Sequence, residues 1–227
     1  MNNVHNELKK EFQLERMILF SDAIFAIAIT LMAIEIKVPV MDGAATDRDL
    51  LSALGGLIFK FYGLIISFFI IGIYWTVHHR IFVYVENYNQ RLLWLNLLFL
   101  FSIVLMPFSS GMYGEYSHRL DLVVPYGVYV FNICLTGYFN YRLWRYISNH
   151  QNKIASSMLT RDIRQLGMKR CLTTPAIFLL SFIIALFAGL SLWFGLISRC
   201  MPMLIPVAIA VLHKKHNKKY HPLPAKI

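Results

Sequence analysis

Residues 16–34 read RMILFSDAIFAIAITLMAI, with Asp22 the one charge between Met17 and Ile34. A helix needs ~20 apolar residues to cross the hydrocarbon of a bilayer, and this run is close to that length. Inside lipid the backbone finds no water to bond, so only helices and closed barrels span it. The run is continuously apolar and does not alternate, which selects a helix over a barrel strand.

Working outward, the same pattern recurs. Apolar runs predict six transmembrane helices, at 17–36, 54–77, 92–112, 122–141, 171–190 and 192–212. The last two come from a stretch of 42 residues, Cys171 to Leu212, whose single charge is Arg199. That is twice one span, so a hairpin turn is expected inside it. A turn at Gly189 to Ser191 gives two spans of similar length, whereas a turn at Ser198-Arg199-Cys200 leaves a short last helix. The hydrophilic stretch from Arg142 to Arg170 is expected as a short helical connection, and no separate soluble domain is expected. The expected fold class is therefore an all-α integral membrane protein with a single six-helix domain over residues 1–227.

Composition supports this class. Hydrophobic residues make up 57% of the 227 residues and charged residues 15%, against about 25% charged in an ordinary soluble domain. A secreted disulfide miniprotein, a disordered tail and a typical cytosolic enzyme are excluded. Cys134, Cys171 and Cys200 are odd in number and fit no metal-site spacing, so they read as small apolar helix residues. The polar start of the chain lacks the layout of a removable signal peptide.

The net charge is +10, and its distribution gives it a meaning. Seventeen of the 22 Lys and Arg residues lie in the two terminal tails, the loop with Arg80 and Arg91, and the segment from Arg142 to Arg170. The opposite loops carry Arg48 and Arg119 beside Asp42, Asp47, Asp49, Glu115 and Asp121. By the positive-inside rule both termini are expected in the cytoplasm, which an even number of spans also requires. No nucleic-acid motif is present, so the basic balance is read as membrane topology.

The first helix has two unlike faces. At about 100° per residue, Ile27, Leu31 and Ile34 fall within about 60° of one another, flanked by Ala23 and Thr30. Asp22 lies about 140° away, with Phe25, Ile29 and Met32. On pattern alone an aliphatic stripe usually means helix packing or lipid contact; the alternative is a pore-lining ladder in an oligomer. A carboxylate inside a span marks a functional or structural polar partner. Trp75, His78 and His79 end the second run at i, i+3 and i+4, and Asn96 opens the third at the same depth. With Ser21 and Asp22 they form one polar layer. It can be read as a hydrogen-bond network fixing the first helix, as a proton relay, as an interfacial belt or as a metal site. The last is disfavoured because adjacent histidines point to different sides of a helix. Pro107-Phe108-Ser109-Ser110, Pro202 and Pro206 read as kinks or helix ends. Phosphate loops, nucleophile elbows, HExxH motifs and a TVGYG-like filter are absent, so an enzyme is not expected.

Arg16-x-x-x-Phe20-Ser21-Asp22, the following Ala-Ile-Phe-Ala-Ile-Ala-Ile-Thr, and Ile73-Tyr74-Trp75-x-x-His78-His79-Arg80 resemble the transmembrane protein 175 family of lysosomal and prokaryotic potassium channels. Trp94-x-Asn96 and Pro107-Phe108-Ser109 add to the likeness. One six-span unit is similar to the prokaryotic branch. The resemblance implies a homotetramer in a prokaryotic inner membrane, with the first helix of each subunit lining a central pore. It implies that Ile27, Leu31 and Ile34 form the constriction, with Thr30 adding a polar layer. It places Arg16, Ser21, Asp22, Trp75, Asn96 and one of His78 and His79 in a polar network behind that helix.

The expected function is a modestly potassium-selective cation channel with an aliphatic constriction in place of a carbonyl filter. The permeant K⁺ ions are its cargo, its partners are membrane lipids and its own copies, and no cofactor or metal is expected. Two alternatives stay open: a proton-conducting channel of the same fold, and a proton-coupled transporter using Asp22 and His78. The absence of Gly or Pro in the first helix counts against the transporter.

Overall fold

A computed structural model describes residues 2–41, 43, 44 and 46–220, with side chains from residue 11 to 216. Asp42 and Lys226 lie outside the described residues, as do the side chains of Lys9, Lys10, Lys218 and Lys219. The described chain runs through α1 (Asn2–Ile34), α2 (Asp47–Gly56), α3 (Ile58–Phe82), α4 (Gln90–Val104), α5 (Met106–Tyr116), α6 (Val124–Ile147), α7 (Arg161–Ala185), α8 (Leu192–Cys200) and α9 (Ile205–Tyr220). Short 3₁₀ turns at His150–Asn152 and Met201–Leu204 join α6 to α7 and α8 to α9.

Among the described residues, five helical stretches are long and apolar enough to cross a membrane: Glu11–Ile34, Ile58–Phe82, Gln90–Tyr116, Arg161–Ala185 and Leu192–His216. The fourth expected span coincides with α6, which has the length, 24 residues, but not the hydropathy. Its neighbours account for that. It packs on α3, α4, α5 and α7, so Asn132, Thr136 and Asn140 are buried against protein. A helix enclosed by other helices does not have to be apolar.

Polarity inside the molecule exceeds what its outer surface would suggest. Ile34, Phe69, Phe108, Phe131 and Trp193 are exposed, whereas Tyr74, Tyr113, Tyr126 and Tyr129 are fully buried. Three of these hydroxyls are bonded: Tyr129 bonds Ser67 at 2.7 Å, Tyr126 bonds Ser181, and Tyr74 donates to the Ile133 carbonyl at 3.1 Å. A soluble domain of this size would present the reverse arrangement.

Close backbone approaches set the packing of α6 on α7. A Cβ at Gly137 would stand 2.0 Å from Cγ of Pro175, and one at Gly167 would stand 1.6 Å from the Trp144 ring. Each helix thus offers a glycine seat to a bulky side chain of the other. Likewise α3 and α5 meet where a Cβ at Gly63 would lie 3.1 Å from Cα of Gly114. Pro107 sits in the first turn of α5, just past the junction at Leu105 that separates it from α4. The kink lets Ser109 accept from Asn132 of α6 at 2.9 Å.

Several boundaries differ from the hydropathy reading. The helix expected between Arg142 and Arg170 belongs to the ends of two long helices: α6 continues to Ile147, and α7 starts at Arg161 behind the cap of Thr160. Charges stop a hydropathy window but not a hydrogen-bonded backbone, and here Leu143, Trp144 and Ile147 still bury one face. The second expected span is divided, because α2 ends at Gly56 before α3 begins. The hairpin falls between Ala185 and Leu192, matching the Gly189 to Ser191 turn. Ser198-Arg199-Cys200 is the kink where α8 gives way to the 3₁₀ turn at Pro202. Arg199 is buried there, its guanidinium 4.3 Å from the Tyr126 ring centre, a cation–π contact.

Candidate functional site

Three helices meet around one polar chain. Ser21 lies mid-way along α1 and is buried. Its hydroxyl donates to the Met17 carbonyl one turn earlier, at 2.8 Å, which leaves its oxygen free to accept. Asn96 of α4 donates to it at 2.9 Å. The Asn96 carbonyl oxygen in turn stands 2.9 Å from Nε2 of His78 on α3. Because that oxygen can only accept, Nε2 of His78 carries the proton. The order of donors is thus fixed from His78 through Asn96 and Ser21 to the α1 backbone. All three side chains are at most 1% exposed, and unmet donors at such depth would be costly.

Aromatic rings close this chain off. His78 stacks on Phe99 at 5.6 Å between ring centres, with Phe82 at 4.3 Å and Phe25 at 5.7 Å. The sequence reading missed these rings, yet it carried a signal for them. Phe25 follows Ser21 by four residues, Phe82 follows His78 by four, and Phe99 follows Asn96 by three. Each polar member has an aromatic residue one helical turn away.

The expected single layer is in fact two. Asp22 and Trp75 stand apart from the buried chain on a more exposed side, where the Trp75 indole donates to the Asp22 carboxylate at 2.9 Å. Trp75 is 40% exposed, and His79 stacks on it at 5.7 Å. His78 and His79 therefore have different partners, as their 100° separation requires. Arg16 joins neither group within one chain: it is exposed, with its guanidinium 5.9 Å from the Phe12 ring centre.

The opposite face of α1 is open. Phe25, Ala28 and Met32 are 2% exposed, whereas Ile27, Leu31 and Ile34 are 55%, 43% and 71% exposed. Thr30 is on the open face too, its hydroxyl bonded to the carbonyls of Ala26 and Ile27. No group of three metal-ligating side chains occurs among the described residues. At the far end of the bundle most of the acidic side chains are engaged. Glu115 pairs with Lys60 at 2.6 Å and Asp121 with Arg119 at 2.8 Å. Asp49 closes the capping box of α2 with Thr46, which holds its carboxyl below the usual aspartate range. The two ion pairs reduce the field that this end offers an approaching cation.

The segment that carries this geometry is also the segment with recognised relatives. The family model described as "Endosomal/lysosomal potassium channel TMEM175" matches residues 16–107, from Arg16 to Pro107. That match runs from the first of the long helices into the third. A protein of Streptomyces collinus named a potassium channel is 42% identical over 97 residues, 43% of this chain and 46% of that protein. The chain spans about half the length of the first curated relatives it matches. A potassium channel of Chamaesiphon minutus is 28% identical over 188 residues, 82% of this chain and 90% of that one. The crystal structure of a lysosomal potassium-selective channel TMEM175 homolog from Chamaesiphon minutus superposes with a TM-score of 0.68. It is 25% identical and covers 90% of this chain and 98% of its own. The likeness therefore extends past residues 16–107 to the arrangement of helices as a whole.

Proposed function

We propose that this chain is one subunit of a homotetrameric, potassium-favouring cation channel whose pore is lined by α1. The observation that carries the reading is the division of that helix. One face is tied to α3 and α4 through Ser21, Asn96 and His78. The other presents Ile27, Leu31 and Ile34 with no partner inside the protomer that buries them. The relatives named potassium channels support it. In this reading α6 crosses the membrane as a sixth span, both termini are cytoplasmic, and the protein resides in a prokaryotic inner membrane.

Four copies of Ile27 form the tightest ring, with Leu31 and Ile34 toward the outside and Thr30 beside them. A dry aliphatic ring offers no ligand to an ion, so passage requires partial dehydration. Water holds potassium less tightly than sodium, so dehydration favours potassium modestly. Opening is a small widening that lets the ring wet. The buried chain through His78 and the Asp22–Trp75 bond hold α1 in register and do not touch the ion. The permeant ion is cargo, and the proposed channel uses no cofactor or enzymatic chemistry.

The test is the reversal potential of purified protein in a planar bilayer under a K⁺/Na⁺ gradient. Wild type shifts toward the potassium equilibrium potential. Ile27→Asn raises conductance and lowers that shift; an unchanged shift removes Ile27 from the constriction. A reversal potential that follows a pH gradient instead assigns the current to protons.

A further inference from the structure

Beneath the polar chain, a cavity of about 270 Å³ opens between the last turn of α3, the last turn of α6 and the first turns of α7. Val77, Leu166 and Ile163 give it an apolar wall, and Arg80, Arg170 and Trp144 give it donors. Two of those donors have no acceptor. Nε1 of Trp144 and Nε of Arg170 are enclosed without a hydrogen-bond partner, although Trp144 is only 4% exposed. The indole is held there by Gly167, where a Cβ would stand 1.7 Å from its nitrogen. Nor does the cavity contain a counter-charge. The ion pairs among the described residues are Lys60–Glu115 and Arg119–Asp121, so both arginines lack a carboxylate.

An apolar-walled space bordered by two guanidinium groups and by an indole whose N–H has no partner suits a group that accepts on one side and is hydrocarbon on the other. We propose that this cavity binds the phosphate of an anionic phospholipid, with Arg80 and Arg170 on its oxygens, Trp144 donating to one of them, and an acyl chain along Val77 and Leu166. Guanidinium groups match phosphate oxygens in geometry and charge. Basic pockets between membrane helices at the cytoplasmic end suit such head groups. Free phosphate shares the head-group chemistry but leaves the apolar wall uncovered. The site would tie α7 to the end of α3, two residues from His78.

Retention of lipid tests this without reference to ion conduction. Purified protein is exchanged into detergent with equal phosphatidylglycerol and phosphatidylcholine, and bound lipid is counted by native mass spectrometry. Wild type should retain phosphatidylglycerol in preference. Arg80→Gln/Arg170→Gln should lose that preference by on the order of tenfold. Trp144→Phe removes the N–H together with one ring of the indole, so it should lose part of the preference and, through lost packing, lower the thermal midpoint. Equal retention of the two lipids by wild type, or undiminished preference in the double variant, overturns the proposal. Protection by millimolar inorganic phosphate that equals that of phosphatidylglycerol would assign the site to a soluble anion and overturn the lipid.

Discussion

Asn96→Leu tests whether the buried chain clamps α1. The side chains are of similar size, and Asn96 is 1% exposed, so the change is mainly chemical. It removes the bonds to Ser21 and His78, both 2.9 Å. Interhelical hydrogen bonds in membranes contribute about 0.6 kcal/mol on average, so two contribute about 1 kcal/mol. The orphaned groups differ. Ser21 keeps its donation to Met17 and loses only a donor to its oxygen. His78 is left with a buried N–H among Phe25, Phe82 and Phe99, at a cost of about 1–3 kcal/mol. The expected destabilisation is about 2–4 kcal/mol. A second substitution separates orphaning from loss of contact. His78→Phe fits the same ring stack and removes the donor, so Asn96→Leu/His78→Phe should be less destabilised than Asn96→Leu alone. Denaturant titration of the purified protein in micelles, followed by tryptophan fluorescence, reads all three. A single variant within about 0.5 kcal/mol of wild type, or a double variant whose losses simply add, would refute the argument.

Other substitutions test neighbouring features. Trp75→Phe removes the indole bond to Asp22 and, in the proposed channel, should alter opening in single-channel records; because the pair is partly exposed, unfolding should shift by less than about 1 kcal/mol. An open probability equal to wild type would detach that bond from α1. Gly137→Ala places a methyl into the Pro175 ring. Overpacking of about 1–3 kcal/mol should exceed the helix-propensity gain of about 1 kcal/mol and lower the thermal midpoint. A midpoint at or above wild type would mean that α6 and α7 separate freely.

The division of α1 into two faces was legible in the sequence. Ile27, Leu31 and Ile34 repeat at helical spacing, and Asp22, Phe25 and Met32 fall opposite them; burial follows that wheel. The convergence of Ser21, Asp22, Trp75, His78 and Asn96 was legible too, because span order and topology place helix ends at common depths. The division of this group was not. Choosing His78 over His79 requires knowing which side of α3 meets α4, and no property of the dipeptide contains that. The hydropathy of α6 is similarly mute about its enclosure.

By itself, then, the sequence determined the membrane class, the long apolar helices and the orientation of the α1 stripe, because hydropathy and helical period are properties of local segments. The tertiary structure decided which donors meet acceptors. It joined Ser21 to Asn96 and His78, gave Asp22 to Trp75, and seated Arg199 over Tyr126. It also left Trp144 and Arg170 with donors unmet around one cavity. A hydrogen bond depends on a few tenths of an ångström between helices distant in sequence, and only their packing fixes that separation.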